Sequence, residues 1–239
     1  MSAARSAPDL VDDGACLVTG ALSHDEVNAL RHSAPAALQA RPGVRVYGDT
    51  MRDALLGRGG AIGRMAARHL GPDAQPVRAI LFDKTPASNW AVPWHQDRTI
   101  AVRARRDVAG FRAWSVKDGV THVEPPFDIL ARMLTLRVHL DDCGADNAPL
   151  LIAPGTHRRG RVPAAEAAAI AMAHRPIACH ARAGDVWVYS TPILHASERA
   201  RAPTHRRVLQ IDYAAMVLPG GLAWLGVGSV DHDQVAAEG

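Results

Sequence analysis

Between residues 134 and 140 apolar and polar side chains alternate without a break. Leu134, Leu136, Val138 and Leu140 fall on one side, and Thr135, Arg137 and His139 on the other. In a strand, side chains two apart leave the same face, so this stretch predicts a strand with one apolar face. Its second face either meets solvent or lines a polar cavity. Residues 15–18, 77–83, 147–152, 186–189 and 207–213 read as further short strands. Turn residues separate them, among them Asp141, Gly144, Pro154, Gly155, Gly184 and Asp185. Late helices are scarce, with an Ala-rich one expected over 164–174 and a helical turn over 126–132. Many short strands with turns between them predict a sandwich or jelly-roll barrel, mainly β with flanking α.

The flank lies at the N-terminal end. Ser23 and Glu26 make a capping box before Val27, Leu30, Ala34 and Leu38, predicting a helix from about 24 to 39 that Pro35 interrupts. Two short helices are expected over 51–56 and 61–70, around Gly57 to Gly60, with Gly71 and Pro72 ending the second. The tail, with Leu222, Trp224 and Leu225, is expected to pack over the body.

A length of 239 residues with 48% apolar content fits one globular domain, 1–239, with its β core at roughly 76–215. No apolar run reaches membrane length, and the first residues carry no apolar signal core, so a cytoplasmic protein is expected. The three cysteines, Cys16, Cys143 and Cys179, are too far apart to suggest a disulfide framework or a Cys-rich zinc site. A net charge of +3 on scattered basic residues argues against nucleic acid as a partner. Of the 27 basic residues only Lys84 and Lys117 are lysine, which hints that a compact ammonium is needed where one is kept. Residues 103–129 hold breakers at Gly110, Asp118, Gly119, Pro125 and Pro126 together with apolar Phe111 and Trp114. A stretch of this kind is expected to act as a lid.

Trp94, His95, Gln96 and Asp97 lie in a run that can be extended. If it is a strand, His95 and Asp97 point into one space, and two histidines with one carboxylate make the facial triad of non-haem Fe(II) oxygenases. His195, 98 positions beyond Asp97, is the candidate second histidine, and Ser197 shares its face. Arg206 follows eleven residues after His195 and opens a strand. If those two strands pair, its guanidinium fork can aim at a carboxylate in the same cavity.

These residues resemble the phytanoyl-CoA dioxygenase family of Fe(II)/2-oxoglutarate oxygenases. The resemblance is carried, in family order, by His95 and Asp97, Asn147 to Leu150, Pro154 to His157, Gly184 and Asp185, His195 to Ser197, and Arg206 to Leu209. It implies a double-stranded β-helix, cupin-like core, with His95, Asp97 and His195 as iron ligands. It also implies that Arg206 and Ser197 hold the distal carboxylate of 2-oxoglutarate. O2 would be the second co-substrate, succinate and carbon dioxide would be released, and a small molecule would be hydroxylated. Two departures stand out: Ala148 replaces the family's usual Gly, straining a turn that prefers positive φ, and Thr156 replaces Ser. Lys84 and Thr99 are further candidates for contact with 2-oxoglutarate, and Thr135 and Arg137 for the barrel lining. Gln96 is a candidate support of the sheet, and His157 could abut the site. Other outcomes stay open: desaturation, cyclisation or epimerisation at the same metal, a non-enzymatic cupin-like binder of metal or 2-oxo acid, or a zinc hydrolase using His95 and His195. Neither the substrate nor the oligomeric state follows from the sequence.

Overall fold

A computed structural model describes residues 7–35, 38, 41–48 and 50–228. In chain order its elements are β1 (Ala15–Val18), α1 (His24–His32), β2 (Gly43–Arg45), α2 (Thr50–Leu56), α3 (Ala61–Leu70), β3 (Gln75–Lys84), β4 (Val92–His95), β5 (Ile100–Val102), β6 (Arg112–Lys117), β7 (Val120–Glu124), α4 (Phe127–Ala131), β8 (Leu134–His139), β9 (Leu150–Ile152), α5 (Ala167–Ala173), β10 (Ile177–Cys179), β11 (Val186–Ser190), β12 (His195–Ser197) and β13 (Arg206–Ala214).

The strands make a six-stranded sheet in the order β1-β11-β8-β13-β3-β2 and a four-stranded sheet in the order β10-β9-β12-β4. Every pairing is antiparallel. This is the cupin-like, mainly β architecture expected from the spacing of strands and turns. The alternation in β8 shows why the larger sheet can be buried on both sides. Leu134, Leu136 and Val138 join Ala79, Leu81, Val188 and Ile211 in a core that also takes Leu30, Leu56, Ile62 and Ala66 from the helical flank. Thr135, Arg137 and His139, on the other face, are buried as well. They point inward, so of the two options for that face the interior one holds.

Local signals act as their chemistry requires. Glu26 N donates to Ser23 Oγ at 3.2 Å and Ser23 N to Glu26 Oε2 at 2.8 Å, closing the capping box of α1. That helix ends at His32, earlier than expected, with Ser33 as its C-cap; the region of Leu38 forms no continuation of it, and part of 36–40 lies outside the described residues. The expected 164–174 helix is shorter as well, at Ala167–Ala173. Ala148 takes φ 47° and ψ 64°, the left-handed conformation anticipated for its turn.

Residues 103–129 are more ordered in secondary structure than a loop. β6 and β7 form a hairpin, and β5 pairs with β7 to complete a three-stranded sheet. Asp118 and Gly119, with φ 50° and 75°, make the two-residue turn, because Asp-Gly tolerates positive φ at both central positions. The tail packs on this sheet: Leu225 N donates to Ala101 O at 3.1 Å, and Leu222 is buried beside Phe111 and Ile100. Among the described residues, no helix is long and apolar enough to cross a membrane.

Candidate active site

The two sheets face each other across a cavity of about 130 Å³ lined by His95, Asp97, His195, Arg206, Arg78 and Arg137, among others. β4 and β12 are antiparallel neighbours, and their register sets His195 directly opposite His95. The ring centroids are 4.2 Å apart. β4 ends at His95, so Asp97 is not a strand residue; the connection that follows turns its carboxylate back toward the rings. One donor atom from each of His95, Asp97 and His195 lies within 4.8 Å of the others.

Backbone carbonyls orient both imidazoles. His95 Nδ1 is 2.8 Å from Pro93 O, and His195 Nδ1 is 3.0 Å from Ile193 O. A carbonyl can only accept, so each Nδ1 donates a proton and Nε2 is the nitrogen left to face a metal. Burial pushes the His195 pKa down to about 4, so its ring is neutral at physiological pH.

Asp97 sits in a buried network that the sequence reading did not anticipate. Gln210 Nε2 donates to Asp97 Oδ2 at 3.4 Å, and Arg137 Nη1 donates to Gln210 Oε1 at 2.5 Å. Arg137 therefore fixes which end of the Gln210 amide faces Asp97. Arg78 lies 3.7 Å from Asp97 and 2.6 Å from Asp212, whose other oxygen accepts from Thr135 Oγ1 at 3.0 Å. Burial alone would raise the Asp97 pKa, but electrostatic coupling to His195, Arg78 and His95 brings it below the ordinary value. Burial wins at Asp212, whose pKa is raised. Strand parity was the available signal. Gln210 and Asp212 share a face with Arg206 on β13, and Arg78 shares one with Lys84 on β3.

The geometry around Arg206 differs from that expected. β12 does not pair with β13. β12 lies between β9 and β4 in the smaller sheet, while β13 lies between β8 and β3 in the larger. Arg206 and His195 thus reach one cavity from facing sheets, since each sheet buries one face against the other. Arg206 Nη1 donates to Ala148 O, and its Nε, like that of Arg137, is buried without a hydrogen-bond partner. Burial and then the neighbouring Arg137 charge push the Arg206 pKa down to about 10.

Lys84 is fully buried opposite Arg206, not at a surface edge. Its Nζ donates to Ser197 Oγ at 2.8 Å and to Glu198 O, and it lies 5.1 Å from the Trp90 ring centroid. It ties the two sheets together and does not line the cavity, although Ser197 does. Thr99 is half-buried and is not part of the lining. Gln96 turns away, donating to Gly160 O at 3.0 Å and Pro192 O at 2.8 Å and accepting from Val162 N at 2.9 Å. His157 lies against Gly14 instead of the cavity, and His205 is turned to Asp83 at 2.7 Å.

A sequence-family model described as phytanoyl-CoA dioxygenase matches residues 10–208. No curated protein matches the chain in sequence. Among solved structures, AviO1 from Streptomyces viridochromogenes Tue57 is 22% identical, with 86% of this chain and 91% of that one covered and a TM-score of 0.60. The epimerase SnoN in complex with Fe3+, α-ketoglutarate and nogalamycin RO is 16% identical, with 94% of each chain covered and a TM-score of 0.61. EctD from S. alaskensis with 2-oxoglutarate and 5-hydroxyectoine is 19% identical, with 88% of this chain and 78% of that one covered and a TM-score of 0.63. Identities this low establish a shared fold.

Proposed function

Because the chain belongs to the phytanoyl-CoA dioxygenase family, we propose that it is a non-haem Fe(II)/2-oxoglutarate-dependent dioxygenase acting on a small molecule in the cytoplasm. The observation that carries the reading is the convergence of His95, Asp97 and His195, two imidazole nitrogens and one carboxylate oxygen within 4.8 Å of one another. That donor set suits iron with positions left for other ligands. The orphaned Nε of buried Arg206 suits a carboxylate.

In this reading His95 and His195 bind through Nε2, and the two backbone carbonyls keep those atoms aimed. Asp97 supplies the anionic ligand while Gln210 and Arg78 hold its position. Arg206 receives the distal carboxylate of 2-oxoglutarate with Ser197 beside it, and Lys84 keeps Ser197 in place. With 2-oxoglutarate and O2, bound iron supplies oxidation of a substrate C–H bond, with succinate and carbon dioxide released.

Hydroxylation is the principal outcome. A second reading, ring formation or epimerisation at the same site, is favoured by fold neighbours described as the carbocyclase SnoK and the epimerase SnoN. The test is a metabolite screen reading substrate-stimulated succinate and the product mass. One added oxygen marks hydroxylation, loss of two hydrogens ring formation or desaturation, and an unchanged mass epimerisation. If iron-loaded protein forms no succinate with any compound, and binds neither iron nor 2-oxoglutarate, the proposal fails.

A further inference from the structure

One cation near the cavity has no ion-pair partner among the described residues and no place in the scheme above. Arg45 on β2 pairs with Ile80, and Ile80 pairs in turn with Gln210. Directly paired residues share a sheet face, so Arg45 stands on the cavity face, in line with the Gln210 that touches Asp97. Ile80, Gln210 and Arg78 all line the cavity. Two strand spacings separate Arg45 from Gln210, about 10 Å.

The surroundings of Arg45 are donors and a neutral acceptor. His122, 1% exposed, reaches over from the β6–β7 hairpin. Its Nδ1 is 2.9 Å from Val120 O, which leaves Nε2 to accept from Arg45 Nη2 at 2.5 Å. Arg45 Nη1 and the Tyr47 hydroxyl are both buried; the two side chains lie beside each other and interact, and neither atom has a partner at hydrogen-bond distance. Among the described residues no carboxylate lies within ion-pair distance of Arg45; the nearby Asp118 is exposed and engages Arg41 at 3.3 Å. Burial lowers the Arg45 pKa, and the Arg78 charge adds to the strain. A buried guanidinium with no described carboxylate beside it, next to a hydroxyl whose proton has no acceptor at hydrogen-bond distance, is complementary to an oxyanion.

Resting on the oxygenase reading, we propose that Arg45, Tyr47 and His122 form a substrate subsite for a carboxylate or phosphate group, selecting acidic small molecules whose anion lies about 10 Å from the metal end of the cavity. Arg45 Nη1 and the Tyr47 hydroxyl donate to the anion. His122 orients the guanidinium, which links the hairpin to occupancy of the subsite.

The test uses the full chain, metal-free, labelled with 15N-histidine and titrated with inorganic phosphate or with acetate. Saturable movement of the His122 ring resonances is expected. The affinity should fall at least about tenfold in Arg45→Gln and less in Tyr47→Phe, which removes one oxygen and leaves packing intact. Response to phosphate alone assigns a phosphate ester, and response to acetate a carboxylate. A response that is absent, unsaturable or unchanged in both variants overturns the subsite. A second arm compares carboxylic acids with their amides as stimulators of succinate release by the iron-loaded enzyme. Native protein should favour the acids and Arg45→Gln should lose that preference; equal preference in the two proteins also overturns it. The titration needs neither iron nor turnover. Phosphate binding at Arg45 in a protein that forms no succinate and binds neither iron nor 2-oxoglutarate would therefore sink the oxygenase reading while leaving the anion site standing.

Discussion

The two ends of the cavity are built on opposite electrostatic plans. At the Asp97 end charges are matched inside the protein: Arg78 lies between Asp97 and Asp212, and Gln210 and Thr135 supply the remaining donors. At the Arg206 end three cations crowd together: burial first, and then the Arg206 and Arg137 charges, push Lys84 down to about 7, and burial with the Arg137 charge pushes Arg206 down to about 10. Asp83 is the nearby carboxylate, but its oxygens accept from the Arg206 backbone and face His205. Uncompensated buried charge is costly, so the second arrangement suits a site that an anion completes, and the first a site that must hold one carboxylate still. The difference separates residues that position from residues that bind.

The sharpest way to break the comparison is at the proposed metal ligands. His195→Ala or His95→Ala should abolish iron binding, read by calorimetry with Fe(II) or Ni(II) under anaerobic conditions. Full metal affinity in His195→Ala would move the distal ligand elsewhere.

Next comes the cationic end. Arg206→Lys keeps charge but loses the fork, and the apparent KM for 2-oxoglutarate should rise on the order of tenfold or more. Arg207 faces outward to Asp141 at 2.8 Å, so Arg207→Ala should leave that constant nearly unchanged. The reverse result would show that the register of β13 toward the cavity has been misread.

At the matched end a smaller effect is expected. Gln210→Leu removes one donor to Asp97 and should weaken metal affinity by about 10-fold to 100-fold. The KM for 2-oxoglutarate should change much less. An equal effect on both constants would mean that the two ends are not separable.

His139 tests the cost of the polar interior directly. Both of its ring nitrogens are buried without partners, and burial pushes its pKa down to about 3. The unfolded chain binds this proton near pH 6.5, the folded chain only near the lower value. Stability is therefore fully present above about 6.5 and falls, by up to about 1.4 kcal/mol per pH unit, as pH drops toward 3. Denaturant midpoints at pH 7.5 and 4.5 should differ less in His139→Leu than in native protein; an unchanged difference would place the titration elsewhere.

The smallest effect concerns the hairpin. Limited proteolysis near the Asp118–Gly119 turn should slow when iron, 2-oxoglutarate and substrate are present, as a closing lid requires. Equal cutting in both states would make it a static wall.

Much of the larger sheet was legible from period-two alternation, and the capping box and Asp-Gly turn mark their elements with local chemistry. The hairpin within 103–129 was missed because breakers were weighed above the short strands between them. The triad residue types were legible from His-x-Asp and the later His-x-Ser, but the reason given for their convergence was incomplete: Asp97 lies beyond its strand. Arg206 was placed in the right cavity on the wrong pairing.

What the sequence determined by itself is local: strand faces, caps, turns and the residue types of a candidate metal-binding set, because each depends on a few neighbouring side chains. Only the tertiary structure decided that His195 stands across from His95, that β13 belongs to the opposite sheet, and that Arg78, Gln210 and Asp212 support Asp97. Those relations depend on which sheet faces bury each other across long stretches of chain, a choice made by packing of the whole core and written in no single segment.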